Sequence, residues 1–213
     1  MQEQKTVWTI LKILQWTQQY FQSKGVENPR LDAEVLLCAV LDKSRIQLYT
    51  NFDEPLEEQE LKQYRGYVAR RAAREPVAYI LGHKGFLQYD FKVTKDTLIP
   101  RPETELLVEQ LVSLNRDRGP VRILDLGCGS GAIIDSLLAE LPEARGMGVD
   151  ISPGAAAVTR ENAQSLGVGD RLETVVSDLY EKVPREEKFQ VLVSNPPYIP
   201  EGDLAGLQAE VHR

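Results

Sequence analysis

Two short segments of this chain carry residue types and spacings that could do chemistry. The first is Asp125-Leu126-Gly127-Cys128-Gly129-Ser130-Gly131, set between an apolar run and a helix-forming run. Glycines at alternate positions permit positive φ and let a ligand approach the backbone closely. The helix that follows points its positive N-terminal end at whatever sits there. Asp150 ends the next apolar run, 23 residues after Gly127, where a carboxylate can grip both ribose hydroxyls of a nucleoside. Asp125 would repel the pyrophosphate of a dinucleotide but would favour the sulfonium and ammonium groups of S-adenosylmethionine. An S-adenosylmethionine site is therefore expected, with a nicotinamide site as the alternative. Asp178 ends a third apolar run and is placed either to reach an adenine amino group or to cap a helix. Cys128 reads as a small filler inside the loop, since its sequence neighbours supply no base.

The second segment is Ser194-Asn195-Pro196-Pro197-Tyr198, at the end of a fourth apolar run. Ligands of open α/β sheets bind outside the carboxyl ends of the strands, which puts this corner beside the glycine loop. Two prolines fix φ and remove two N–H donors, and Pro196 drives Asn195 out of the α region. The corner can then present the Asn195 side-chain oxygen and the Pro196 carbonyl as two fixed acceptors. Two acceptors suit a planar NH2 group, whose delocalised lone pair makes it a poor nucleophile unless it is aimed. Tyr198 can stack on such a group.

The elements that must position these residues follow from periodicity. From residue 121 the chain alternates strands (VRILDLG, RGMGVDI, RLETVVSD, FQVLVSNPPY) with helices (SGAIIDSLLAELP, SPGAAAVTRENAQSLG), the second helix capped by Ser152. That alternation predicts an α/β fold with a parallel, Rossmann-like sheet. Residues 1–75 read as an all-α bundle. One helix carries Val7, Ile10, Leu11, Leu14 and Phe21 and stops at Gly25; a second opens at Asn28-Pro29; a short one covers Arg45–Tyr49; and a third long helix opens at Pro55. Trp8 and Trp16, eight apart, read as core. Arg65, Arg70, Arg71 and Arg74 read as a solvated face balanced by Glu57, Glu58 and Glu60. Residues 76–100 alternate and are flanked by glycines, which predicts a β-hairpin linker. His83 is expected in a glycine-flanked surface turn, and His212 near the chain end.

Composition bounds the partners. The chain has 213 residues, 42% of them hydrophobic, enough for a buried core. Its net charge of −7 falls entirely on residues 76–213. A phosphate-neutralising protein would look basic, so nucleic acid is not the expected partner. No apolar stretch reaches membrane-spanning length, and the N-terminus has no secretory pattern. Two cysteines and two histidines suit a reducing cytoplasm and give no metal site.

These features together resemble the class I S-adenosylmethionine-dependent methyltransferases, and more narrowly the PrmC/HemK family of peptide chain release factor glutamine methyltransferases. Three motifs carry the resemblance: Leu98-Ile99-Pro100-Arg101-Pro102-Glu103-Thr104-Glu105, the Asp125–Gly131 loop and Asn195-Pro196-Pro197-Tyr198. The resemblance implies methyl transfer to the glutamine side-chain nitrogen of the Gly-Gly-Gln motif in class 1 release factors. Asn195 and Pro196 would hold the glutamine amide, with Pro197, Tyr198 and Arg101 beside it. Asp125, Gly127, Cys128, Gly129, Gly131, Asp150, Asp178 and also Asn195 would line the cofactor pocket, and Glu103 would sit at the cleft edge. The helical domain, 1–75, would grip the release factor ahead of the linker, 76–100, and the methyltransferase domain, 101–213. The Asn-Pro-Pro-Tyr corner alone also fits adenine-N6 methyltransferases. A ribosomal-protein glutamine methyltransferase is the nearer alternative, and it differs after the Pro-Arg pair. Four strands precede Arg213 where the family continues with three more, so the domain is expected to be incomplete at its C-terminus.

Overall fold

The computed structural model describes residues 7–196, which form two compact units, 7–81 and 82–196. Among the described residues no helix is long and apolar enough to cross a membrane.

The first unit is helical: α1 (Ile10–Ser23), α2 (Pro29–Leu41), α3 (Arg45–Thr50), α4 (Glu58–Ala72) and α5 (Val77–Leu81). Thr9 caps α1, and Gly25 leaves it at φ +68°. The buried face of α1 is Ile10, Ile13, Thr17 and Phe21, one position off the expected Leu11/Leu14 stripe. These side chains pack with Leu36, Leu37, Leu48, Tyr64 and Val68. The Tyr64 hydroxyl donates to the Ala33 carbonyl at 3.0 Å, which satisfies the one polar atom of a fully buried ring.

Four expectations are corrected here. The third long helix starts at Glu58, not Pro55, because Pro55 bridges Thr9 and the Leu56 N–H donates to the Trp8 carbonyl. A capping box of Glu57 and Glu60 then opens the helix. The arginines are only in part a solvated face: Arg65 and Arg70 are exposed, but Arg71 is not. Arg71 is buried on Asp32 at 2.6 Å, and Arg70 holds Glu75 together with the Tyr79 and Ile80 carbonyls. Trp16 is 45% exposed; it stacks on Tyr20 and meets Trp8 edge-on, because position 16 falls outside the buried stripe. Residues Val77–Leu81, expected as part of the linker, form a helix.

The second unit contains the hairpin β1 (His83–Phe86) and β2 (Tyr89–Lys92), then α6 (Pro102–Asn115), β3 (Arg122–Leu126), α7 (Ala132–Glu140), β4 (Arg145–Asp150), α8 (Pro153–Ser165), β5 (Leu172–Val176) and β6 (Val191–Ser194). The hairpin does not stand free as a spacer: Phe86 and Phe91 are buried in this unit's core. His83 is exposed and pairs with Asp90. The sheet order is β5-β4-β3-β6, all parallel. Its strands alternate as the pleat requires. Ile123, Val191 and Val193 face α6 and α7, while Leu124, Leu126, Met147 and Val149 face Val175, Val183 and Phe189. The chain leaves β3 through α7 to β4 on one side and returns to β6 on the other. The carboxyl end of β3 is therefore the point where strand order reverses and a crevice opens.

Candidate active site

The glycine loop leaves β3 at that crevice. Gly127, Gly129 and Gly131 all have positive φ, at +74°, +57° and +81°. A Cβ would meet no atom within 4 Å at Gly127, and at Gly129 only the Gly127 carbonyl, at 4.0 Å. These two glycines are required by backbone conformation and keep open space above the loop. Gly131 is different: a Cβ there would lie 2.4 Å from Asp135 Oδ2 and 2.9 Å from Thr159 Cγ2. The loop is anchored below by Gly127 and Cys128 N–H bonds to the Val149 carbonyl. The Thr159 hydroxyl bonds the Gly129 carbonyl at 3.0 Å. The buried Asn162 side chain holds the Ser130 carbonyl at 2.8 Å and both backbone groups of Lys92 in the hairpin. Cys128 is buried against Gly148, and burial pushes its thiol far up, which suits a filler and not a nucleophile.

Asp150 closes one side of the loop. Its two oxygens accept from Gly129 N–H and Ser152 N–H, each at 2.9 Å. Every carboxylate oxygen keeps a further lone pair, so the half-buried group can still accept from hydroxyls in the crevice. Beneath the loop sit two fully buried acids, Asp125 and Asp135, and none of their four oxygens has a hydrogen-bond partner. Burial pushes Asp125 up to about 7. The Ile134 backbone N–H opposes this without reaching hydrogen-bond geometry, and the Asp150 charge adds to it. Burial, then the neighbouring Asp125, hold Asp135 well above the ordinary carboxylate range.

The Asn-Pro corner arrives on the other side. Leu126 pairs with Ser194 in the β3–β6 ladder, and the Ser194 hydroxyl donates to the Leu126 carbonyl at 2.7 Å. Asn195 therefore follows directly beside the start of the glycine loop. Its Nδ2 donates to Thr104 Oγ1 at 3.1 Å. Pro196 is exposed; Pro197, Tyr198 and His212 lie outside the described residues. The structure thus brings Gly127, Gly129, Asp150 and Asn195 to one crevice at the carboxyl ends of β3, β4 and β6, while Asp125, Cys128 and Gly131, expected to line the cofactor pocket, are buried beneath it.

A model of the PrmC N-terminal domain matches residues 12–82, and one of the methyltransferase small domain matches residues 102–208. The release factor glutamine methyltransferase of Geobacter sulfurreducens is 47% identical over 99% of this chain and 72% of its own length. The chain belongs to the release factor glutamine methyltransferase family. The family's enzymes from Rhodopirellula baltica, at 39% identity over 97% of this chain and 71% of theirs, and from Chlorobaculum tepidum, at 41% over 100% and 75%, agree. A solved S-adenosylmethionine-dependent methyltransferase from Geobacter sulfurreducens, in complex with S-adenosyl-L-homocysteine, is 28% identical over 44% of this chain and 36% of its own, with a TM-score of 0.37. The match to the methyltransferase small domain and the parallel β5-β4-β3-β6 sheet with its helices give this family member the α/β methyltransferase fold.

Within that family frame, the 98–105 motif acquires a structural content that spacing alone did not provide. It is the entry to α6, an element for which the sequence reading made no prediction. Arg101 is the N-cap residue and Pro102 the first helical position; Arg101 and Glu103 are exposed. Glu105 Oε1 accepts from the Leu87 N–H at 3.0 Å and so clamps the hairpin turn, where Leu87 has φ +52°. Thr104 reaches Asn195. Asp178 is exposed beyond β5, beside the cavity lined by Leu124, Tyr180, Phe189 and Leu192. It caps no helix: the Ser177 hydroxyl accepts from the Lys182 N–H and closes a turn instead. Thr104, Asp135, Thr159 and Asn162 were not singled out from sequence. Of these, only Thr104 had a signal, its place in the 98–105 motif.

Proposed function

We propose that this chain transfers a methyl group from S-adenosylmethionine to the side-chain amide nitrogen of the glutamine in the Gly-Gly-Gln motif of class 1 peptide chain release factors. The observation that carries this reading is the Ser194–Leu126 bond, which sets Asn195 beside the glycine loop. The residues fit the methyl donor. The space above Gly127 and Gly129 admits a ligand against the backbone, and Asp150 offers spare acceptors for ribose hydroxyls. When bound, S-adenosylmethionine supplies an electrophilic methyl on a positively charged sulfur. Asp150, half-buried beside the loop, favours that charge and disfavours a pyrophosphate; Asp125, buried and held protonated toward neutrality, does not supply it.

Asn195 Oδ1 and the Pro196 carbonyl accept the two N–H bonds of the glutamine amide and fix the direction of its nitrogen. Positioning of this kind can remove up to roughly 7–11 kcal/mol of a barrier. Held this way, the amide nitrogen would be aimed at the electrophilic methyl that the bound donor would supply, with Gly127, Gly129 and Asp150 holding the donor. Tyr198 would stack on the amide plane. The helical unit and Arg101 would contribute to release factor recognition.

The test offers the protein labelled methyl donor with three acceptors: a class 1 release factor, the same factor with its motif glutamine replaced by asparagine, and DNA. Label is expected in the first alone. Label in DNA, or equal label in the asparagine variant, would overturn the substrate assignment. Asp150→Ala is expected to weaken S-adenosylhomocysteine binding about tenfold or more, since it removes the ribose acceptors together with two loop hydrogen bonds. Calorimetry showing unchanged affinity would remove Asp150 from the cofactor site.

A further inference from the structure

We propose that Thr104 is a positioning residue that holds the Asn195 carboxamide with its oxygen toward the substrate, an inference that rests on the reading of Asn195 above. A carboxamide is asymmetric. Its oxygen accepts and its NH2 donates. An Asn195 turned the wrong way would present N–H donors to the N–H donors of the glutamine, and the clamp would repel what it should hold. In the structure Asn195 Nδ2 donates to Thr104 Oγ1 at 3.1 Å. That bond occupies the donor end and leaves Oδ1 as the free end.

Both partners of this bond are fixed from behind. The Thr104 N–H donates to the Arg101 carbonyl in the first turn of α6, after a proline at the first helical position. That turn is held by Glu105 on the Leu87 N–H, and the helix is seated in the core by Val108 and Val112. Asn195 is fixed through the Ser194 hydroxyl on Leu126. With backbone and neighbours set, the remaining freedom of Asn195 is side-chain rotation, and a half-flip costs little unless one end has a partner that prefers it. Thr104 gives the NH2 end an acceptor in the productive orientation. In the flipped orientation the same hydroxyl must donate to Oδ1, and that oxygen is then turned away from the substrate, with the NH2 in its place.

Three variants test this. Thr104→Val keeps the shape and removes the hydroxyl. It is expected to lower kcat roughly tenfold to a hundredfold, the scale of one lost half-buried partner of a group that must be aimed, with cofactor affinity and thermal midpoint unchanged. Thr104→Ser keeps a hydroxyl and is expected to stay within about threefold of the parent, which a purely steric role would not require. In Asn195→Asp the side chain ends in two oxygens, so no wrong end exists. In that background Thr104→Val is expected to cost nothing further. A parental kcat in Thr104→Val, or an equal loss in both backgrounds, overturns the proposal. The Asn195 reading stands or falls separately, on Asn195→Ala.

Discussion

Asn195→Ala is expected to lose methyl transfer to the release factor by about 100-fold or more in kcat, the scale of a small misplacement of reacting groups, while cofactor affinity stays within a factor of about two. The split follows from where the side chain lies. The loop and Asp150 are held by bonds in which Asn195 takes no part: Gly127 and Cys128 to Val149, Gly129 to Asp150, Ser130 to Asn162. Removing the carboxamide leaves that cradle intact. It does remove one of two acceptors for an amide nitrogen that reacts only when aimed, so the loss falls on the step and not on donor binding. Asn195→Gln should also be impaired, because an added methylene displaces the acceptor and pulls the NH2 off Thr104. Single-turnover label transfer together with calorimetry reads both quantities. Parental transfer in Asn195→Ala would remove the amide clamp, and with it the role given to Thr104. Loss of cofactor binding would make Asn195 part of the nucleoside pocket instead.

The catalytic half of this architecture was legible because its signals are local. Each strand is an apolar run closed by an acid, a glycine or a proline, and α8 between β4 and β5 is marked by its cap at Ser152. The crevice at the carboxyl end of β3 follows from the observed order β5-β4-β3-β6. The two motifs that met at the crevice were already named. Less was legible where the determinant is tertiary. Asn162 bonds Lys92 across 70 residues, and nothing in ENAQS marks that asparagine from any other polar helical residue. Arg71 looked like one of a row of surface arginines until Asp32, 39 residues away, covered it. Helix α6 was missed although Pro102, Glu103 and Glu105 form a sound first turn. Of its leucines, Leu106 and Leu114 are exposed and Leu107 and Leu111 only in part buried, so the segment carries a weak helical stripe beside a strong motif. The start of α4 slipped by three residues because the pairing of Thr9 with Pro55 overrides a proline that locally favours a helix start.

The second large effect concerns stability, and it comes from Asp125 and Asp135. A carboxyl that is fully buried with no partner resists ionisation. In the unfolded chain both groups ionise near pH 4. In the folded chain Asp125 stays protonated up to about 7, and Asp135 is also held well up. Between these limits the unfolded state loses protons that the folded state retains, so stability falls as pH rises. The contribution is neutral below about pH 4, worsens through the interval, and levels for Asp125 above about 7, at a cost on the order of 4 kcal/mol. The usual paired aspartate has the opposite sign.

Asp135→Ala removes one acid and relieves the other, since Asp135 is raised in part by Asp125 and the coupling is mutual. Alanine also favours the helix interior, and the small void left by the carboxyl offsets part of the gain. The variant is expected to unfold a few degrees higher than the parent at pH 7.5, about 1–2 kcal/mol, with the gain gone by pH 4.5. Thermal melts at the two pH values decide it. A variant that is less stable at pH 7.5, or equally shifted at both, would mean that the carboxyls are paired under the loop and carry no such penalty. A gain confined to neutral pH would mean that the protein tolerates two costly acids directly beneath its glycine loop. Stability given up at such a place is the pattern expected where function, and not folding, sets the residue type.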